Sequence, residues 1–143
     1  MKIIIAQSIP AQARALESML RKHGCEALAS ASGEEALRRI KDDLTVRGAL
    51  FDAVMPGIDA LALSAELHSE GKSIPFVVTA VAGELEHAQR TFAFGCRGVM
   101  PKPLTEEDVV QAITLLGARL LAPTGMPVMM PSRGAPLWQG ATL

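Results

Sequence analysis

Three polar side chains stand where apolar runs end, and together they could do phosphoryl chemistry. Asp52 follows Ala49-Leu50-Phe51, Thr79 follows Pro75-Phe76-Val77-Val78, and Lys102 sits between Pro101 and Pro103. A carboxylate, a hydroxyl and an ammonium gathered at one edge could bind or accept a phosphoryl group. Singly, each has an ordinary reading: a loop acid, a β-branched strand residue and a solvated lysine. Their weight comes from convergence, so the elements that carry them decide the matter.

Those elements alternate. Ile3-Ile4-Ile5-Ala6 is short, apolar and β-branched, as a strand covered on both faces requires. Pro10 opens a helix with Ala13, Leu16, Met19 and Leu20 at helical spacing, and Gly24 ends it. Residues 25–31 form a second strand, and Ser32-Gly33-Glu34-Glu35 matches a capping box ahead of Ala36, Leu37 and Ile40. After a polar loop over 42–48, residues 49–54 form a third strand. Asp59 then caps a helix carrying Leu61, Leu63, Ala65 and Leu67, which stops at Gly71. A fourth strand covers 75–80, a helix 84–94 stops at Gly95, and a short fifth strand covers 98–100. Thr105-Glu106-Glu107-Asp108 opens a last helix that runs to about Leu121. Five strand–helix repeats predict an α/β fold, a five-stranded parallel sheet with helices on both faces. Reactive groups in such sheets gather beyond the carboxyl ends of the strands, where Gln7, Ser8, Asp52, Thr79 and Lys102 fall.

Composition excludes several classes. With 143 residues the chain fits one domain, and 49% hydrophobic against 20% charged residues is a globular balance. Fourteen basic and 15 acidic residues give a net charge of −1 and no field for nucleic acid or an anionic membrane. Cys25 and Cys96 are too few for a disulfide framework or a four-ligand zinc site, and fit buried thiols in a reducing compartment. No apolar run is long enough to span a membrane, and the N-terminal one is too short for a signal peptide. A cytoplasmic location is expected.

The chain resembles the receiver domain of bacterial two-component response regulators, from Lys2 to about Leu121. The motifs are Asp52-Ala53-Val54-Met55-Pro56-Gly57-Ile58-Asp59, Thr79-Ala80 and Lys102-Pro103, in order across five βα units. The resemblance implies the flavodoxin-like receiver fold. It also implies that Asp52 is the phosphoacceptor for a histidine kinase, that Thr79 moves to hydrogen-bond the phosphoryl oxygen, and that Lys102 pairs with the phosphoryl group. Pro103 matches the family's cis proline.

The pattern breaks at the first strand. Receivers carry two adjacent acids there, which hold Mg²⁺ with the phosphoacceptor; here the places hold Gln7 and Ser8. Each lost carboxylate within ~4 Å of a divalent ion forfeits several kcal/mol at an effective dielectric near ~20. No cofactor is therefore expected, Mg²⁺ at most weakly, and Asp52 is the only carboxylate retained. The switch aromatic, three residues before the lysine, is replaced by Val99, and Ala60 replaces the usual Gly after Asp59. These breaks point to a degenerate receiver in which Asp52 and Lys102 form a standing ion pair and one conformation is favoured. A conventional receiver phosphorylated on Asp52 is the alternative. An α/β enzyme or nucleotide binder is a third reading, without a P-loop or Gly-rich dinucleotide loop to support it. His23, His68 and His87 fall on or near helices, away from the strand ends. At most, weak self-phosphorylation or dephosphorylation at Asp52 is expected of it as an enzyme.

Two surfaces could carry a signal to a histidine kinase, phosphotransfer protein or effector. On the last helix Val109, Ile113, Leu116 and Leu120 make a stripe for the sheet. Val110, Leu115 and Leu121 lie off it and are candidates for a homodimer or partner face. The segment 122–143 has Pro123, Pro127, Pro131 and Pro136, one charge at Arg133, and apolar anchors that include Met126, Met129 and Trp138. It reads as a tail, free or docked in an extended form, and leaves no room for an attached effector.

Overall fold

A computed structural model describes residues 1–117. Five parallel strands form one sheet in the order β2-β1-β3-β4-β5. They are β1 (Lys2–Ala6), β2 (Glu26–Ser30), β3 (Val46–Asp52), β4 (Phe76–Ala80) and β5 (Cys96–Pro101). The helices are α1 (Pro10–Lys22), α2 (Gly33–Asp42), α3 (Ala60–Ser69), α4 (Leu85–Gln89) and α5 (Glu106–Leu116). The expected α/β architecture is present.

Alternation along each strand builds two cores. Ile4, Ala6, Phe51, Val78 and Val99 face α2, α3 and α4, while Ile3, Ile5, Leu50, Val77 and Met100 face α1 and α5. Sequence neighbours thus point to opposite faces, and both faces are covered, so the strands read as continuous apolar runs. Phe51 and Phe76 pack with ring centroids 5.1 Å apart, one of few aromatic contacts in an otherwise aliphatic interior. Both cysteines are buried and free. Burial pushes the Cys96 thiol up to about 11, against weaker opposing interactions with Thr91, Gly98 and Val78; Cys96 Sγ donates to Gly98 O at 3.1 Å.

The helix starts follow the sequence signals. Pro10 is the first residue of α1. Ser32 Oγ accepts from Glu35 N (3.1 Å), and Glu35 Oε1 accepts from Ala31 N (2.8 Å). Thr105 Oγ1 and Asp108 Oδ2 make the reciprocal pair at α5, at 3.1 and 2.9 Å. Asp59 caps α3 by accepting from Ala62 N at 2.9 Å.

Several expectations are corrected. The strand β3 starts at Val46, within the stretch expected as loop, because Val46 and Gly48 pair with β1. The helix expected over 84–94 is three short pieces: a 3₁₀ turn at Ala82–Glu84, α4, and a second 3₁₀ turn at Arg90–Phe94. Glu84 caps Val81 N instead of continuing upstream as helix, and Thr91 Oγ1 donates to Ala88 O at 2.6 Å. Gly95, at φ 101°, ends the segment in a backbone conformation that suits glycine. Leu115, expected on the outer face of α5, is buried with Val109, Ala112 and Leu116 against Ile3, Ile5 and Val77. Two residues per turn of α5 meet the sheet, so its buried stripe is wider than the expected one. Gly117 closes α5, its N–H donating to Ile113 O at 3.0 Å. Leu121, Trp138 and the proline-rich tail lie outside the described residues.

Candidate functional site

Parallel register brings the strand ends together. Asp52 ends β3 directly beside Thr79 of β4. After β5, the Lys102 N–H donates to Ala80 O at 3.0 Å, which pins the next loop against the end of β4. The Lys102–Pro103 peptide is cis. Lys102 Nζ then reaches Asp52 Oδ1 at 2.8 Å, with side chains only 14% and 3% exposed. Asp52, Thr79 and Lys102 are thus brought together as the sequence pattern implied.

Burial pushes the Asp52 carboxyl above its ordinary value. The Lys102 hydrogen bond and charge oppose that rise, and the negative charge of Glu84 adds to it. Glu84 is the residue that sequence reasoning missed. Its Oε1 lies 3.7 Å from Lys102 Nζ and accepts from Val81 N at 3.1 Å. The available signal was an acid five residues after Thr79, at the end of a glycine-containing turn.

The β1 end is different. Gln7 is buried, and its Oε1 lacks a hydrogen-bond partner, as does Thr79 Oγ1. Both line a cavity of about 60 Å³ with Lys102, Pro103, Leu104 and α1 residues including Leu16 and Met19. Ser8 is not part of this group. It lines a neighbouring depression over the β1–β2 edge, which Gln7 also borders, with Pro10, Arg14, Ser30 and Glu35. Val99 is 1% exposed and packs in the α4-side core, where it lies beside Val78.

The β3–α3 loop closes the other side. Gly57 has φ 80°, and a Cβ there would run into the Glu34 carboxylate, so both conformation and space favour glycine. His87 of α4 was expected away from the strand ends. Its Nε2 lies 2.7 Å from Asp59 Oδ2 of this loop, without the alignment of a hydrogen bond.

With this geometry, the comparisons are decisive for the family. The response regulator receiver domain model matches residues 3–114. The chain belongs to the response regulator receiver family. It is 26% identical to protein PilH of Pseudomonas aeruginosa over 117 residues, 78% of this chain and 93% of PilH. It is 29% identical to YesN of Bacillus subtilis, an uncharacterized transcriptional regulatory protein, over 71 residues. That match covers 50% of this chain and spans about a fifth, 19%, of YesN. A receiver domain structure from Clostridium thermocellum superposes with a TM-score of 0.75 at 19% identity, covering 84% of this chain and 97% of that one. Receiver domains act in two-component signalling, interact with kinases and effector proteins, and in general are not enzymes. Among the described residues no helix is long and apolar enough to cross a membrane.

Receivers typically bind Mg²⁺ at this site, and the ion takes near-octahedral oxygen ligands. Here β1 offers the neutral Gln7 amide, Ser8 lines another depression, and an ammonium holds one Asp52 oxygen. Among the described residues no three His, Cys, Asp or Glu side chains are grouped to hold a metal. The residues present do not fit the ion.

Proposed function

We propose that this chain is a receiver module of two-component signalling that works through protein contacts, with weak or no Mg²⁺-dependent phosphorylation. The observation that carries this reading is the 2.8 Å Lys102–Asp52 ion pair facing a β1 end with no carboxylate. The ammonium supplies Asp52 with a counter-charge from within the chain, where a switching receiver recruits a divalent ion. Burial of Val99 favours the same reading, because no ring is available to turn inward when a phosphoryl group arrives. Partners are a histidine kinase, a phosphotransfer protein or an effector. Val110, 41% exposed, is the large apolar residue that α5 offers to a partner or second copy among the described residues, without Leu115. We place the module at residues 1–121 and a separate segment at 122–143. The chemistry points to a cytoplasmic protein.

The second reading, a conventional receiver phosphorylated on Asp52, draws support from the unpartnered Thr79 Oγ1 in the same cavity as Lys102. In that case Asp52 attacks the phosphorus of the donor. The new Asp52 O–P bond forms as the donor's bond to phosphorus breaks, P–N in a phosphohistidine or P–O in acetyl phosphate, and the imidazole or acetate departs with the electron pair. Titration with millimolar Mg²⁺, read by amide shifts at Gln7, Ala53 and Lys102, separates the two. A standing pair gives no saturable shift; saturable shifts at all three favour the conventional receiver. A fixed conformation also requires that Asp52→Asn leave the amide spectrum of α4, β5 and α5 unchanged.

A further inference from the structure

Two negative charges are missing at the β1 end, and one stands on the opposite side of the lysine. The 3₁₀ turn Ala82–Glu84 folds back over the end of β4, while the Lys102 N–H is tied to Ala80 O at that same end. Glu84 and Lys102 therefore meet by construction of the backbone. The ammonium has Asp52 Oδ1 at 2.8 Å and Glu84 Oε1 at 3.7 Å, and the Glu84 side chain is 22% exposed. The same Oε1 accepts the Val81 N–H, two residues beyond Thr79.

We infer that Glu84 is a positioning residue that acts through Lys102 as a built-in anion: its carboxylate competes with an incoming phosphoryl or phosphate group for the ammonium, and ties that competition to the turn after β4. This rests on the reading of Asp52 and Lys102 as the phosphoryl-contact pair. A phosphate oxygen drawn to Lys102 meets a like charge already there, and close like charges repel most strongly where water is sparse. Relief of that repulsion requires the carboxylate to swing outward. Outward movement releases the Val81 N–H and loosens the 3₁₀ turn, so the loop into α4 senses an anion without a switch aromatic.

Glu84→Gln isolates the charge, because the amide oxygen still accepts from Val81. Glu86→Gln is the control: it makes the same change in net charge on an 87% exposed side chain two residues further on. Binding of inorganic phosphate is measured at fixed ionic strength by the Lys102 and Val81 amide shifts. Glu84→Gln should bind phosphate at least about threefold more tightly than wild type, with Glu86→Gln unchanged. In wild type, saturating phosphate should also speed hydrogen exchange at Val81. Equal affinity in wild type and Glu84→Gln, or no binding by either, overturns the competition. An equal gain in Glu86→Gln overturns its local origin, and unchanged Val81 exchange overturns the link to the turn. Full Mg²⁺-dependent phosphorylation of wild type would instead overturn the proposed function, while the phosphate comparison would still judge Glu84.

Discussion

The two halves of the strand-end site have diverged. On the β3–β4–β5 side, Asp52, Thr79 and Lys102 keep the residue types of a phosphoryl site, and Lys102 holds Asp52 at 2.8 Å. On the β1 side, Gln7 and Ser8 stand where a receiver carries acids, and only Gln7 lines the cavity shared with Thr79 and Lys102. The difference teaches that the two halves answer to different constraints. The ion pair compensates a carboxylate that the end of β3 has already buried. The β1 acids serve a divalent ion, and the fold does without them.

Removing Lys102 should do the most damage. Lys102→Met leaves the buried Asp52 carboxylate without its partner and should cost about 3 kcal/mol in urea unfolding. A cost below about 1 kcal/mol would mean that the pair is not what neutralises Asp52. Restoring the other half comes next. Gln7→Asp with Ser8→Asp should destabilise the metal-free protein by about 2 kcal/mol through crowded carboxylates, and millimolar Mg²⁺ should recover the loss. Wild-type melting should not respond to the same Mg²⁺. Thr79→Val should change stability by less than about 1 kcal/mol, because the hydroxyl it removes has no partner to lose.

The smallest effect concerns pH. The folded Asp52 value is raised above 3.8, mainly by burial. Its contribution to stability is therefore present below that value and lost as pH rises through the folded one. Asp52→Asn removes that loss, so wild type should decline relative to the variant across this window in a series of urea melts. A parallel pair of curves would contradict the shift.

Much of this was legible in the sequence for a physical reason. Asp52, Thr79 and Lys102 each follow an uninterrupted apolar run or lie between prolines, and such runs in alternation force a buried parallel sheet. Capping boxes at Ser32 and Thr105 are local chemistry and were readable as such. Glu84 was not, because its role depends on a 3₁₀ turn meeting a loop 18 residues later. Leu115 was misplaced because a single-stripe reading of α5 underestimates how much of a helix a sheet can cover. Val46 to Gly48 looked like loop because Arg47 is polar, yet in a strand alternate side chains can face solvent.

Intact mass after incubation with acetyl phosphate, with and without Mg²⁺, tests the standing ion pair most directly. Wild type and Asp52→Asn should each stay predominantly at their own unmodified mass in either condition. Near-complete conversion of wild type to a species about 80 Da heavier, one phosphoryl group, only with Mg²⁺ and never on Asp52→Asn, would contradict it.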